Sequence, residues 1–154
     1  MLKARASKSK RSAEARSFIL SAEEVLKQEY GCDVEIVGDI SLLENLTIST
    51  EYMNQAISVL ATVTRSGRGA KIKFVSDEKA LQITATVPTT FYRSSLRNSY
   101  VAQSSADLSD FSYSTEEIGE NTCVIIKVIL EKHAAIALYA ISPSEVRDII
   151  KSAL

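Results

Sequence analysis

Tryptophan is absent, histidine occurs once, and 154 residues hold only two cysteines, two prolines and five glycines. Each scarcity closes off a class of chemistry. Cys32 and Cys123 are too few for a disulfide scaffold and lack metal-ligand spacing; a reduced setting is the default, and one bridge between them stays open. No metal-ligand cluster, Ser-His-Asp order or P-loop motif occurs. No apolar run approaches the roughly 18 residues of a membrane-spanning helix. The first residues lack the apolar core of a secretory signal, so a cytoplasmic setting is expected.

The rest is ordinary for a globular chain: 45% apolar and 24% charged residues. The length suits one domain, enough to bury about 70% of the unfolded surface. The net charge of −1 conceals an asymmetry, because residues 1–20 hold six Lys or Arg against Glu14 alone, leaving the remainder near −6. Residues 1–16, "MLKARASKSKRSAEAR", read as a basic tail or the end of a connecting helix, with residues 17–154 as a single domain. Contact of the tail with anionic lipid or nucleic acid, or a targeting role, are alternatives. The acidic body argues against a broad nucleic-acid face.

Hydrophobic spacing gives the elements. Phe18, Ile19, Ala22, Val25, Leu26 and Tyr30 recur at helical intervals, and Gly31 stops that helix. "CDVEIVGD" alternates as a half-buried strand. "STEYMNQAISVLATVTRSG" carries the stripe Met53, Ala56, Ile57, Leu60 and Val63, with Glu51 near the positive end of the helix dipole. "AKIKFVSDEKALQITATVP" reads as a hairpin, with Ile72 and Phe74 on one strand, a turn at Asp77–Lys79, and Leu81, Ile83, Ala85 and Val87 sharing a face of the other. Residues 88–120 are serine-dense and read as a long loop, with 92–117 the most mobile part after the tail. "TCVIIKVILEKHA" reads as a helix and "AIALYAIS" as a strand. "SPSEVRDIIKSAL" reads as a closing helix, with Ser142 capping, Pro143 first and Glu145 completing a capping box. Helices and strands mix around an antiparallel hairpin. The fold expected is an α/β (α+β) two-layer sandwich, a largely antiparallel mixed sheet with helices on one face.

Four stretches carry a resemblance: "EEVLKQEYGCDVEIVGD", "STEYMNQAISVLATVTRSGRGAKIKF", "LQITATVPTTF" and "VIIKVILEKHAAIALYAIS". Together they resemble the ATP-binding domain of sensor histidine kinases, within the group that includes gyrase, the heat-shock chaperone and MutL. The resemblance covers roughly residues 17–141 and implies that family's ATPase fold. It also implies positions for a nucleotide site. The paired asparagines of the N box fall on Ser58 and Thr62, the second being the magnesium ligand. Arg65 falls on a basic position near the phosphates. The Asp that accepts from the adenine amino group falls on Val87, and the first glycines on Thr89 and Phe91. The second glycine box, which opens a phosphate-binding helix, falls on Ile118, Glu120 and Thr122, with Gly119 one place out of register. Lys127 and His133 match family positions, and Ala134 and Ala135 replace two glycines.

Valine cannot accept a hydrogen bond, a hydroxyl is a poorer magnesium ligand than an amide carbonyl, and Glu120 would repel phosphate. Val87 and Phe91 are expected to fill the adenine space. His133 reads as a helix-end residue, and a Cys123–His133 pair is awkward because ten residues separate the two by far more than one helix turn. The expected function is therefore a degenerate, non-catalytic kinase-like module in signal transduction. It would have no cofactor and would bind a protein such as a receiver domain or another kinase; a homodimer is a further possibility. The alternative is a histidine kinase domain that binds ATP and magnesium through atypical contacts.

Overall fold

The computed structural model describes residues 12–65, 70–90, 110–132 and 140–153. Strand β1 (Ser12–Glu14) leads directly into helix α1 (Ala15–Tyr30), so β1 and the first two residues of α1 fall within the stretch read as tail. Phe18, Ile19, Ala22, Val25 and Leu26 are buried along α1, and Gly31 ends it in the left-handed region at φ 65°, donating its N–H to the Leu26 carbonyl. Strand β2 (Asp33–Val37), a 3-10 turn (Ile40–Leu43) and strand β3 (Leu46–Ser49) follow. Helix α2 (Thr50–Arg65) buries its expected stripe, with Met53, Ala56, Ile57, Leu60 and Val63 each at most 2% exposed.

Strands β4 (Lys71–Ser76) and β5 (Ala80–Pro88) form the expected hairpin. The Asp77 carboxylate closes its turn, accepting from the N–H groups of Lys79 and Ala80 at 2.7 and 2.9 Å. Strands β6 (Phe111–Ile118) and β7 (Asn121–Ile129) form a second hairpin, and β8 (Glu131–Lys132) follows. Helix α3 (Pro143–Ala153) is last, and the Ser142 hydroxyl accepts from the Glu145 N–H at 3.3 Å as its cap.

The main sheet runs β2-β4-β5-β7-β6, and a small sheet runs β1-β3-β8. Only β2–β4 is parallel among these pairs, and the connection between them contains α2, as a parallel crossover requires. Ile72, Phe74, Leu81, Ile83, Ala85, Val87, Val124, Ile126 and Val128 are all buried on the inner face of the main sheet. Lys71, Lys73, Gln82 and Lys127 are exposed on its other face. The α/β two-layer sandwich with helices on one face is thus the observed architecture.

Helix α3 lies against both α1 and α2. Its Val146 and Ile150 are each 1% exposed, and burying each stabilises by about 1.5–3 kcal/mol. Two serines on α1 clip the segment that leads into it. The Ile141 N–H donates to the Ser17 hydroxyl at 2.9 Å, and the Ser21 hydroxyl donates to the Ile141 carbonyl at 2.8 Å. Arg147 Nε reaches both oxygens of Glu29 at 2.6 and 2.7 Å.

Two expectations are overturned here. "TCVIIKVILEKHA" is not a helix, since residues 121–129 are strand β7, paired with β5 along their whole length. Residues 111–118, read as loop, are strand β6, paired with β7 along their whole length. Of the strand expected at "AIALYAIS", residues 140–142 are irregular and the rest lie outside the described residues.

Candidate functional site

The positions implied by the resemblance fall into three places. Ser58 and Thr62 are one turn apart on α2. The Ser58 hydroxyl donates to the Asn54 carbonyl at 2.9 Å, and the Thr62 hydroxyl to the Ser58 carbonyl at 3.4 Å. Both protons are used within the helix, as hydroxyls in helix interiors commonly do. Thr62 is only 6% exposed. Ser58 faces α3 across a shallow groove of about 320 Å³, lined by Asn54, Ser58, Asp148, Ile149 and Ser152. Arg65 ends α2.

Val87, Thr89 and Thr122 come together at the end of the sheet where β5 finishes and β7 begins. Val87 pairs with Thr122, and both are 2% exposed. The Thr122 hydroxyl donates to the Thr89 hydroxyl at 2.9 Å, and the Thr89 N–H donates to the Glu120 carbonyl at 2.9 Å. This is also the end at which β4 begins, since Lys71 pairs with Thr86. Helix α2 ends at Arg65, with five residues between it and β4. The two glycine-box positions are therefore cross-strand neighbours, a proximity that linear reading of the chain did not supply.

The stretch "EIGENTCV" does not open a phosphate-binding helix. Ile118 pairs with Asn121, so Gly119 and Glu120 form a two-residue hairpin loop. Gly119 has φ 61°, which suits glycine at the first position of such a turn. A hairpin has no row of free helix amides to offer an anion. Ile118, at 59% exposed, and Glu120 lie at this tip, facing solvent.

Lys127 is the third place. It sits on β7 between Gln82 and Ser112, on the sheet face away from the helices. It cannot join Val87 or Thr62, because Val87 points to the inner face and α2 covers that face. The reason is parity: inner and outer side chains alternate along a strand, and Lys127 is odd where Thr122, Val124, Ile126 and Val128 are even. Phe91, His133, Ala134 and Ala135 lie outside the described residues.

The fit to ATP and magnesium is poor. The position that the resemblance assigns to the adenine acceptor is a buried apolar valine, and the one it assigns to the magnesium ligand is a buried threonine. Among the described residues, no group of three His, Cys, Asp or Glu side chains is placed to hold a metal ion. The cysteines are free: Cys32 is buried, with its thiol pushed up to about 11 by desolvation, and Cys123 is half-buried on the outer sheet face. A thiol so raised is a poor nucleophile at neutral pH. Among the described residues no helix is long and apolar enough to cross a membrane.

The chain is similar in structure to histidine kinases. It matches Acinetobacter baumannii histidine kinase AdeS at TM-score 0.41 and 10% identity, over 77% of this chain and 66% of that one. It matches histidine kinase ThkA, solved in complex with response regulator protein TrrA, at TM-score 0.42 and 14% identity, over 73% of this chain and 38% of that one. The cytoplasmic segment of histidine kinase QseC matches at TM-score 0.37 and 13% identity, over 76% and 74%. This chain thus spans less than two thirds of the length of the AdeS and ThkA chains. No family model matches the sequence, and no curated protein matches it.

Proposed function

We propose that this chain is a degenerate histidine-kinase-like ATPase domain that acts in cytoplasmic signal transduction as a non-catalytic protein-binding module. Its partner class would be a receiver domain or another kinase. The observation that carries the reading is Val87. It is 2% exposed, on the inner sheet face, at the position where the resemblance calls for a carboxylate that accepts from adenine. A buried valine there supplies closure instead of recognition. Thr62 supports the same reading, because its hydroxyl donates within its own helix and little of it meets solvent. Lys127 adds support, being exposed on the sheet face opposite to that of Val87.

The test is calorimetric titration with Mg-ATP. No saturable heat is expected up to millimolar nucleotide. Binding tighter than about 100 µM, roughly −5.5 kcal/mol, would overturn the reading in favour of an ATP-binding kinase domain with atypical contacts.

A further inference from the structure

On the outer face of the main sheet, the β2–β4 portion has an internal order. The parallel register pairs Asp33 with Lys71, Glu35 with Lys73 and Val37 with Val75. All six side chains are exposed on this face, with Val37 and Val75 at 37% and 36%. One column is thus acidic, the next is basic, and both end in a valine. Lys73 Nζ and Glu35 Oε1 lie 4.0 Å apart with both side chains more than half exposed, so the two charges retain capacity for a second partner. A cavity of about 400 Å³ runs over Asp33, Glu35, Lys71, Lys73, Thr84 and Thr86.

We propose that this face docks on the same face of a second copy of the chain. The argument is self-complementarity, which a two-fold interface requires. Consider a two-fold axis in the plane of contact, parallel to the strands and midway between β2 and β4. Rotation about it exchanges the two columns and keeps the height along the strands. Asp33 then meets the second copy's Lys71, Glu35 meets its Lys73, and Val37 meets its Val75. Each contact occurs twice. The match depends on β2 and β4 being parallel and in register. A slip of one residue would turn one of the columns to the inner face. The patch covers two strands and three rows, so the interface belongs with small, weak contacts. Its charged rungs are exposed and therefore salt-sensitive.

Sedimentation of the full chain provides the test. The wild type is expected to move from 16.8 kDa toward twice that mass between ~10 µM and ~1 mM, and to move back in high salt. The double variant Lys71→Glu/Lys73→Glu has an all-acidic patch, and Asp33→Lys/Glu35→Lys an all-basic one. Each alone is expected to be monomeric, and a 1:1 mixture is expected to form a heterodimer. All four positions are exposed, so circular dichroism should show both variants folded. A variant that does not fold is replaced by Val37→Asp, which is expected to abolish self-association of the otherwise unchanged chain. A wild type that stays monomeric at ~1 mM overturns the proposal. So does a control pair with reversals at Lys27 and Lys151, and at Glu24 and Asp148, whose members keep the β2–β4 face unchanged yet are monomeric alone and associate only when mixed.

Discussion

The β4–β5 hairpin keeps its inner side chains covered from one end to the other: Ile72, Phe74, Leu81, Ile83, Ala85 and Val87 are all at most 2% exposed. The β6–β7 hairpin keeps that cover on one strand only. Along β7, Thr122, Val124, Ile126 and Val128 are buried. Along β6, Phe111 is buried and stacks on Tyr52 of α2 with centroids 5.7 Å apart; Tyr113 is half-buried, and residues 114–118 are exposed. Both strands of the first hairpin are held by packing under helices. The outer half of β6 is held by backbone pairing with β7 and by its turn. Register is specified strongly where a face is buried and weakly where it is not, so local opening should begin at the β6 end of the sheet.

The sharpest way to break the first hairpin is at Val87. Val87→Asp places a carboxylate in a site 2% exposed, facing Thr122. A buried unpaired charge is expected to cost about 3–5 kcal/mol, read as a fall in the urea midpoint at pH 7. Burial raises the pKa of such a group, so the penalty is present above the unfolded pKa and shrinks as pH falls through the raised folded value. No gain of Mg-ATP affinity is expected. A variant as stable as wild type that binds ATP would show that the pocket is open.

The contrast between the two faces of β7 comes next. Ile126 is buried and pairs with Ile83, while its neighbour Ile125 is half-buried on the outer face between Thr84 and Ser114. Ile126→Ala should cost about 2–4 kcal/mol, and Ile125→Ala under about 1 kcal/mol. Equal losses would mean that the outer face at β7 is covered.

At the hairpin tip, Gly119 has φ 61° and open space around an added Cβ. Gly119→Ala therefore tests backbone strain without a clash, and about 1 kcal/mol of destabilisation is expected. Amide exchange should quicken in Ser114–Ile118 and stay unchanged in β5. Uniform quickening through both hairpins would mean that β6 is not a separate unit of stability.

Legibility in the sequence followed contrast between faces. In β4, lysines alternate with Ile72 and Phe74, and the strand was readable. In β7 the outer residues Cys123, Ile125 and Ile129 are themselves apolar, so "TCVIIKVI" shows little alternation and passed for a helix. In β3, Leu46, Thr47 and Ile48 are all buried, and four residues without a polar face give no period to detect. The helices were legible through their stripes, α3 above all through Ser142, Pro143 and Glu145. At the candidate site, the misfit of Val87 was readable from its side chain alone. The meeting of Val87 with Thr122 was not, because it depends on a pairing across 35 positions. The error on β7 also carried Lys127 to the wrong place, since a helix and a strand assign that residue to different faces.

The smallest expected effect lies in the other turn. Asp77 is solvent-exposed, and its carboxylate accepts from the backbone N–H groups of Lys79 and Ala80. Those two bonds, Lys79's the stronger influence, hold its carboxyl below the usual range. The sign follows from linkage: a group with a lowered folded pKa adds stability above its unfolded pKa, about 4, and loses it as pH falls through the lowered folded value. Asp77→Asn keeps an acceptor oxygen of similar shape but removes the charge that strengthens both bonds. The variant should show a slightly lower urea midpoint than wild type at pH 7, and the two should converge as the pH is taken below that range. Because the β4–β5 hairpin is pinned by its buried face, amide exchange along β5 should hardly respond. A difference between variant and wild type that is equally large at both ends of the pH range would show that the charge contributes nothing. Marked loosening of β5 would show that the turn, not the covered face, holds the first hairpin together.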